Sequence, residues 1–368
     1  MSAIPKSLQP GDEFTVTYRV ERPIAYGENR DQSPADVFRS LGSQDPLGLY
    51  AFDRVSGVPG YVNAAGTDRA LALVSLVAES FRKNLGAREQ PHVVIACKHG
   101  NPCGAAVGWG DPVAVARKAL LGDPLAVMGG EILANFPVTD EVAQALFSVP
   151  KELRAQVGRD KWGPDVVIAP AFDEAAVALL GKRESRKLLA NPALAAPAMP
   201  PDEWMFRPTR GGFMRQRVPH YVFGDDEVEW VSGKELDAEE LATTLLAHAA
   251  AWRATSNTVV LAKDGMLIGA GVGQQDRAAC VRLALDRAQR AGHDIVGSVF
   301  ASDAFFPFAQ RTRMNRPMEG PELLMRAGCD IGVVPADGKR LEEVRELFRS
   351  SHMRVAFIPK EHRGFSQH

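Results

Sequence analysis

Six short apolar, β-branched runs dominate the chain: HVVIAC (92–97), DVVIAP (165–170), NTVVLA (257–262), VGSVF (296–300), DIGVVP (330–335) and RVAFIP (354–359). Most are followed within a few residues by Gly, Pro or Asn, the punctuation of a strand end. A strand in a one-sided sheet alternates apolar and polar residues. Several of these runs are apolar throughout, which suits strands covered on both faces. Helical spacing lies between them. Residues 69–83 place Ala70, Leu73, Val74, Val77 and Phe81 on one stripe, with Asp68 as the predicted cap. Residues 238–252 follow Asp237, with Glu240 three places on as a capping box, and put Leu241, Leu245, His248 and Trp252 on one face. Segments 275–291 and 340–350 carry the same period. Strands alternating with helices predict an α/β protein with mixed sheets flanked by helices. The Ala- and Pro-rich stretch 189–204 lacks periodicity and reads as a linker. It divides the chain into 1–195 and 196–368.

Bulk properties exclude several classes. The 368 residues are 45% hydrophobic and 24% charged, as in an ordinary soluble domain. A formal net charge of -2 predicts no nucleic-acid partner and no attraction to an anionic membrane. No apolar run reaches membrane-spanning length, and the first residues, MSAIPKSLQPGDEF, lack the apolar core of a secretory signal. Cys97, Cys103, Cys280 and Cys329 show no C-x-x-C spacing, which fits reduced thiols in a cytoplasmic protein. No histidines pair at metal-ligand spacing, so no metal site is predicted, and His248 reads as a satisfied core residue.

Four stretches carry candidate chemistry. The first strand ends in Lys98-His99, followed by Gly100, Asn101, Pro102 and Cys103. Neighbouring side chains on a strand point apart, so both cations reach one ligand only if the chain turns. Gly100 and Pro102 supply the turn residues. An adjacent ammonium makes a histidine harder to protonate, and His99 becomes usable as a base. The alternative is a solvated basic pair at a strand end. In the second stretch, Asn257 enters a strand, and Gly269, Gly271 and Gly273 lead through Gln274 and Gln275 to Arg277. Helix-start amides favour anions, but a tight hairpin-to-helix turn has the same composition. In the third, Phe305, Phe306, Pro307 and Phe308 follow Asp303. That is either a wall for a flat heteroaromatic ligand or a core corner. The fourth is the end, HRGFSQH, with Arg363 and Phe365, which either frays or folds back over a site.

Taken in order, these stretches resemble the transformylase half of the bifunctional purine-biosynthesis enzymes, the aminoimidazole-carboxamide ribonucleotide (AICAR) formyltransferases. The matching residues are Lys98 to Gly104, Ser256-Asn257-Thr258, Gly269 to Arg277 and Ser302 to Phe308, with MGGEILAN (128–135) and PDVVIAP (164–170) as further segments. The likeness runs from about Tyr26 to the end. It implies two subdomains of cytidine-deaminase-like fold and a homodimer with active sites shared between subunits. It also implies transfer of a formyl group from 10-formyltetrahydrofolate, as co-substrate, to the amine of AICAR. No tightly bound cofactor is implied. Lys98, His99 and Asn257 would be catalytic. Tyr26, Asp165, Arg277, Arg363 and Phe365 would hold the nucleotide, and Asp303, Phe305 and Phe306 the folate. Only about 25 residues precede Tyr26, so a separate IMP cyclohydrolase is expected to close the ring.

The sequence also departs from the family pattern. Where the family has Arg-Tyr-Gly-x-Asn-Pro-His-Gln, this chain has Ala25-Tyr26-Gly27-Glu28-Asn29-Arg30-Asp31-Gln32. Loss of a charge-assisted phosphate contact weakens binding by about 1.5–3 kcal/mol unless another cation replaces it. Arg30 and Arg363 are the replacements the sequence offers. The tail carries an extra residue between Phe365 and His368, and His368 is given no role. Two other readings remain: a formyl- or acyltransferase for another amino-imidazole, and a non-catalytic nucleotide- or folate-binding regulator.

Overall fold

Val93, Ile95 and Cys97 face one side of their strand and Val94 and Ala96 the other, and both sides are buried, as an unbroken apolar run requires. The computed structural model describes residues 7–86, 90–183, 185–200, 204–311 and 315–365. In the first half the elements are β1 (Tyr18–Pro23), β2 (Asp36–Ser40), β3 (Asp53–Ser56), α1 (Tyr61–Leu85), β4 (His92–Lys98), β5 (Asn101–Gly108), α2 (Pro112–Leu121), β6 (Glu131–Ala134), α3 (Asp140–Phe147), α4 (Arg154–Val157), β7 (Val166–Ala169), α5 (Glu174–Leu180) and β8 (Lys187–Ala190). The second half has β9 (Trp204–Thr209), β10 (Gly212–Arg217), β11 (Glu229–Val231), α6 (Ala238–Arg253), β12 (Val259–Lys263), β13 (Met266–Gly271), α7 (Arg277–Ala291), β14 (Val299–Ser302), α8 (Gly320–Ala327), β15 (Ile331–Pro335), α9 (Leu341–Ser350) and β16 (Arg354–Ile358).

One mixed sheet of 12 strands runs β11-β16-β15-β14-β12-β13-β5-β4-β6-β7-β8-β3. Its two sides repeat one pattern. An antiparallel hairpin (β4–β5 or β12–β13) is followed outward by an antiparallel strand and two parallel ones, with an antiparallel strand at the edge. Parallel neighbours need a crossover, and α3, α5, α8 and α9 lie in those connections. The sides meet where β13 pairs antiparallel with β5, Met266 opposite Ala106. Under one face α1 and α6 belong to a single core that draws on strands from both sides. The opposite face holds two separate cores, one per side. The architecture is thus the mixed α/β arrangement flanked by helices.

Two boundaries differ from expectation. The first helix begins at Tyr61, two turns before the predicted cap, so Asp68 lies inside it; its N-cap is Gly60. The stretch read as a linker begins inside the sheet. Leu189 and Ala190 belong to β8, Asn191 caps a short 3₁₀ turn, and Leu194 is fully buried. The α6 capping box is present: Asp237 accepts from the Glu240 N–H at 2.8 Å, and Glu240 accepts from the Asp237 N–H at 3.0 Å.

His248 corrects another expectation. It is buried among Tyr221, Phe223 and Trp252, and neither ring nitrogen has a hydrogen-bond partner among the described residues. Burial pushes its pKa down to about 3. An unfolded histidine titrates near 6.5, so below that pH the unfolded chain binds a proton that the native state refuses. This group's contribution to stability is complete above about pH 6.5 and is lost as pH falls toward 3, by at most about 1.4 kcal/mol per unit. Denaturant titrations at pH 7 and 5 should therefore differ by about 2 kcal/mol from this residue. His248→Leu should remove that share of the difference; an unchanged difference would refute the assignment.

Candidate active site

β4 and β5 pair down to Lys98 opposite Asn101, leaving His99 and Gly100 as a two-residue turn. Both turn residues have positive φ, 51° and 72°, the signature of a type I′ hairpin. Pro102, expected in the turn, lies in β5 opposite Cys97 instead. His99 is exposed, whereas Lys98 is half-buried, its Nζ donating to the Met128 carbonyl at 2.7 Å. The two side chains are therefore presented differently, Lys98 anchored by its hydrogen bond and His99 turned to solvent. Asn101 ties the turn to the second half. Its Nδ2 donates to the His99 carbonyl at 3.2 Å, and its Oδ1 accepts from the Thr255 N–H at 2.9 Å. Thr255 leads into Ser256 and Asn257, so the Lys-His turn and the Asn257 loop share one end of the sheet.

The early turns of α1 lie along the same end. Tyr26 is half-buried; its carbonyl accepts from the Tyr61 N–H at 2.9 Å, and its ring packs on Gly60. Farther along α1, Arg69 lies over the hairpin turn: a Cβ added at Gly100 would sit 3.3 Å from its Cγ. Arg69 is half-buried and makes no hydrogen bond or ion pair with the described residues. Asp165 precedes β7, its N–H donating to the Gly130 carbonyl at 3.0 Å. Its half-buried carboxylate likewise has no partner among the described residues.

The second half contributes a closed network. Arg277, at the first turn of α7, forms a buried ion pair with Asp303 through Nη1. It also donates to the Thr258 carbonyl at 3.0 Å, the Ser302 hydroxyl at 3.2 Å and Asn257 Oδ1 at 2.6 Å. Asp303 is 0% exposed. Besides Arg277 it accepts from the Thr258 N–H at 2.8 Å and from the Ser256 hydroxyl. Asn257 completes the network, donating to the Gln274 carbonyl at 2.8 Å. The sequence suggested Arg277 and Asp303 as separate ligand contacts. In the structure each neutralises the other, because a buried charge needs a partner, and together they hold the backbone from Ser256 to Thr258. Phe306 is also displaced from its expected role: it is 1% exposed and packs in the core near Phe300. Phe305 is half-buried against Gly338, and Phe308 is exposed.

The end of the chain folds back. The Gly364 N–H donates to the Asp303 carbonyl at 2.6 Å, and Trp252 Nε1 donates to the His362 carbonyl at 3.0 Å. A Cβ at Gly364 would lie 2.3 Å from the Trp252 ring, so close docking there needs glycine. Arg363 pairs with Asp337 and lies 5.6 Å from the centre of the exposed Phe365 ring. His368 lies outside the described residues. Asn63, Arg69, Asn101 and Ser256 gained no role from the sequence; a cation on the apolar-striped helix was the signal available for Arg69.

Fold and site define an α/β protein built of two like halves, with polar groups from both meeting at one end of a continuous sheet. Residues 2–287 match the family described as AICARFT/IMPCHase bienzyme, and the chain belongs to that family. It is 32% identical over 352 residues to the bifunctional purine biosynthesis protein PurH of Cutibacterium acnes, covering 94% of this chain and 59% of that protein. It is 31% identical over 353 residues to the protein of the same name from Chlorobaculum parvum, covering 95% of this chain and 60% of that one. The chain thus spans about three-fifths of the length of these curated relatives.

Proposed function

We propose that this protein is a folate-dependent formyltransferase of purine biosynthesis, moving the formyl group of 10-formyltetrahydrofolate to the amine of AICAR. The products are the formylated nucleotide, FAICAR, and tetrahydrofolate. The observation that carries this reading is the exposed His99, held on a two-residue turn beside Lys98 and tied through Asn101 to the Asn257 loop. The purine-biosynthesis relatives supply the pathway.

The AICAR amine is a weak nucleophile because its lone pair is delocalised. As its nitrogen bonds to the formyl carbon, His99 accepts the amine proton. The carbonyl oxygen gains negative charge, which the Lys98 ammonium and the Asn257 amide stabilise. Collapse breaks the bond to the folate nitrogen, which leaves with the proton that His99 gives back. Acid–base help and oxyanion stabilisation each supply about 10²–10⁴ in rate. Lys98 Nζ keeps further N–H donors after its bond to Met128. Arg277 and Asp303 act through the loop they brace. Tyr26 and the free carboxylate of Asp165 contact the nucleotide, Phe305 and Phe308 border the folate, and the tail with Arg363 and Phe365 closes the site. The working unit is a homodimer sharing these sites in the cytoplasm, with no tightly bound cofactor.

A second reading, an altered amine substrate, rests on Ala25. Arg363 is engaged by Asp337, whereas Arg69, half-buried beside the hairpin turn, has no hydrogen bond or ion pair among the described residues. Mass spectrometry of products from AICAR and from its dephosphorylated nucleoside decides between the two. Formylation of AICAR supports the first reading. Preference for the nucleoside overturns it. Inosine monophosphate in the same reaction would show that ring closure is not separate.

A further inference from the structure

Glu131 opens β6 opposite Cys97, the residue before Lys98, and next to Asp165, which precedes β7. It is 3% exposed, a rare position for a carboxylate without a cation bound to it. Its side chain reaches α1. Asn63 Nδ2 donates to Oε1 at 3.4 Å, a long bond, and Asn63 Oδ1 in turn accepts from the Gly60 N–H at 3.4 Å, next to Tyr61. The carboxyl group fits because residue 66 has no side chain: a Cβ there would lie 2.5 Å from the Glu131 carboxyl carbon. The acyl-transfer chemistry above does not use a carboxylate at this position.

We infer that Glu131 is a positioning residue for the proposed nucleotide site, holding Asn63 and the start of α1 against the sheet end that carries Lys98 and Asp165. The inference rests on the formyl-transfer reading. As a carboxylate, Glu131 attracts the Asn63 amide N–H; as a neutral acid, it loses most of that pull. The groups around it are Asn63 on α1, Cys97 on β4, Cys103 on β5, Asp165 before β7 and Lys187 on β8. Burial, with a smaller contribution from Asp165, raises its pKa to about 7 against the opposing pull of Asn63, its own backbone N–H and Lys187. Both protonation states are thus populated at neutral pH.

The test compares wild type with Glu131→Gln, which keeps an acceptor for Asn63 but cannot ionise, and with Gly66→Ala, which crowds the carboxyl group out. In the wild type, KM for AICAR should rise about tenfold between pH 8 and 6, following the ionised fraction of a group titrating near 7. In Glu131→Gln, KM should be flat over that range. Gly66→Ala should have a raised KM at both pH values. Infrared spectroscopy reads the acid directly: a protonated-carboxyl band that fades as pH rises through about 7 should be present in the wild type and absent in Glu131→Gln. A wild-type pH dependence of KM in Glu131→Gln, or no such band in the wild type, overturns the inference. If AICAR is not a substrate, the formyl-transfer reading fails, and the infrared titration still judges the ionisation of Glu131.

Discussion

Asp303→Ala should destabilise the protein by about 3–5 kcal/mol, the cost of stranding a buried charge whose partner has been removed. Arg277 would keep its guanidinium, 6% exposed, with no anion beside it. The Thr258 N–H and the Ser256 hydroxyl would lose their acceptor as well. Urea denaturation reads the loss as a lower midpoint at unchanged slope. Turnover should fall too, because the Ser256–Thr258 backbone that carries Asn257 loses its brace. Replacing both charges, as Arg277→Met with Asp303→Leu, should recover much of the stability without the activity, since an apolar pair leaves no uncompensated charge. Wild-type stability in Asp303→Ala would show that the pair does not brace the loop, and would return Asp303 to the role of a ligand contact.

His99→Ala should behave in the opposite way. His99 is exposed and its ring joins no packing cluster, so stability should change by no more than about 0.5 kcal/mol. Turnover should fall by about 10²–10⁴, the usual contribution of a general base. Affinity for AICAR, read by calorimetry, should stay within a few-fold, because the proposed nucleotide contacts lie elsewhere. Loss of binding with turnover intact would make His99 a binding residue and leave the chemistry without its base.

Much of the fold was legible because burial on both faces writes itself into a strand as an unbroken apolar run. HVVIAC, DIGVVP and RVAFIP became β4, β15 and β16 nearly residue for residue. The start of α1 was not legible. Tyr61 to Thr67 include Val, Asn, Gly and Thr, weak helix formers, while Asp68 imitates a cap. What keeps those turns helical is tertiary: Tyr26 packs on Gly60, and Glu131 fits against Gly66. The linker reading began too early for a related reason, since Leu189 and Ala190 gain their strand partners only from β7 and β3.

Within the site, Lys98, His99 and Gly100 could be read as a turn because a local hairpin needs only local residues. The pairing of Arg277 with Asp303 joins charges 26 positions apart, and no local pattern reports that they meet. Each charge, taken alone, looked open to a ligand. Phe305, Phe306 and Phe308 looked like one wall, yet Phe306 turns into the core and Phe308 out to solvent.

The most direct measurement is spectroscopic detection of tetrahydrofolate on mixing the protein with 10-formyltetrahydrofolate, with and without AICAR. Release that requires AICAR and disappears in His99→Ala is the predicted result. Release that ignores AICAR, or persists at the wild-type rate without the imidazole, would contradict formyl transfer at the Lys98–His99 turn.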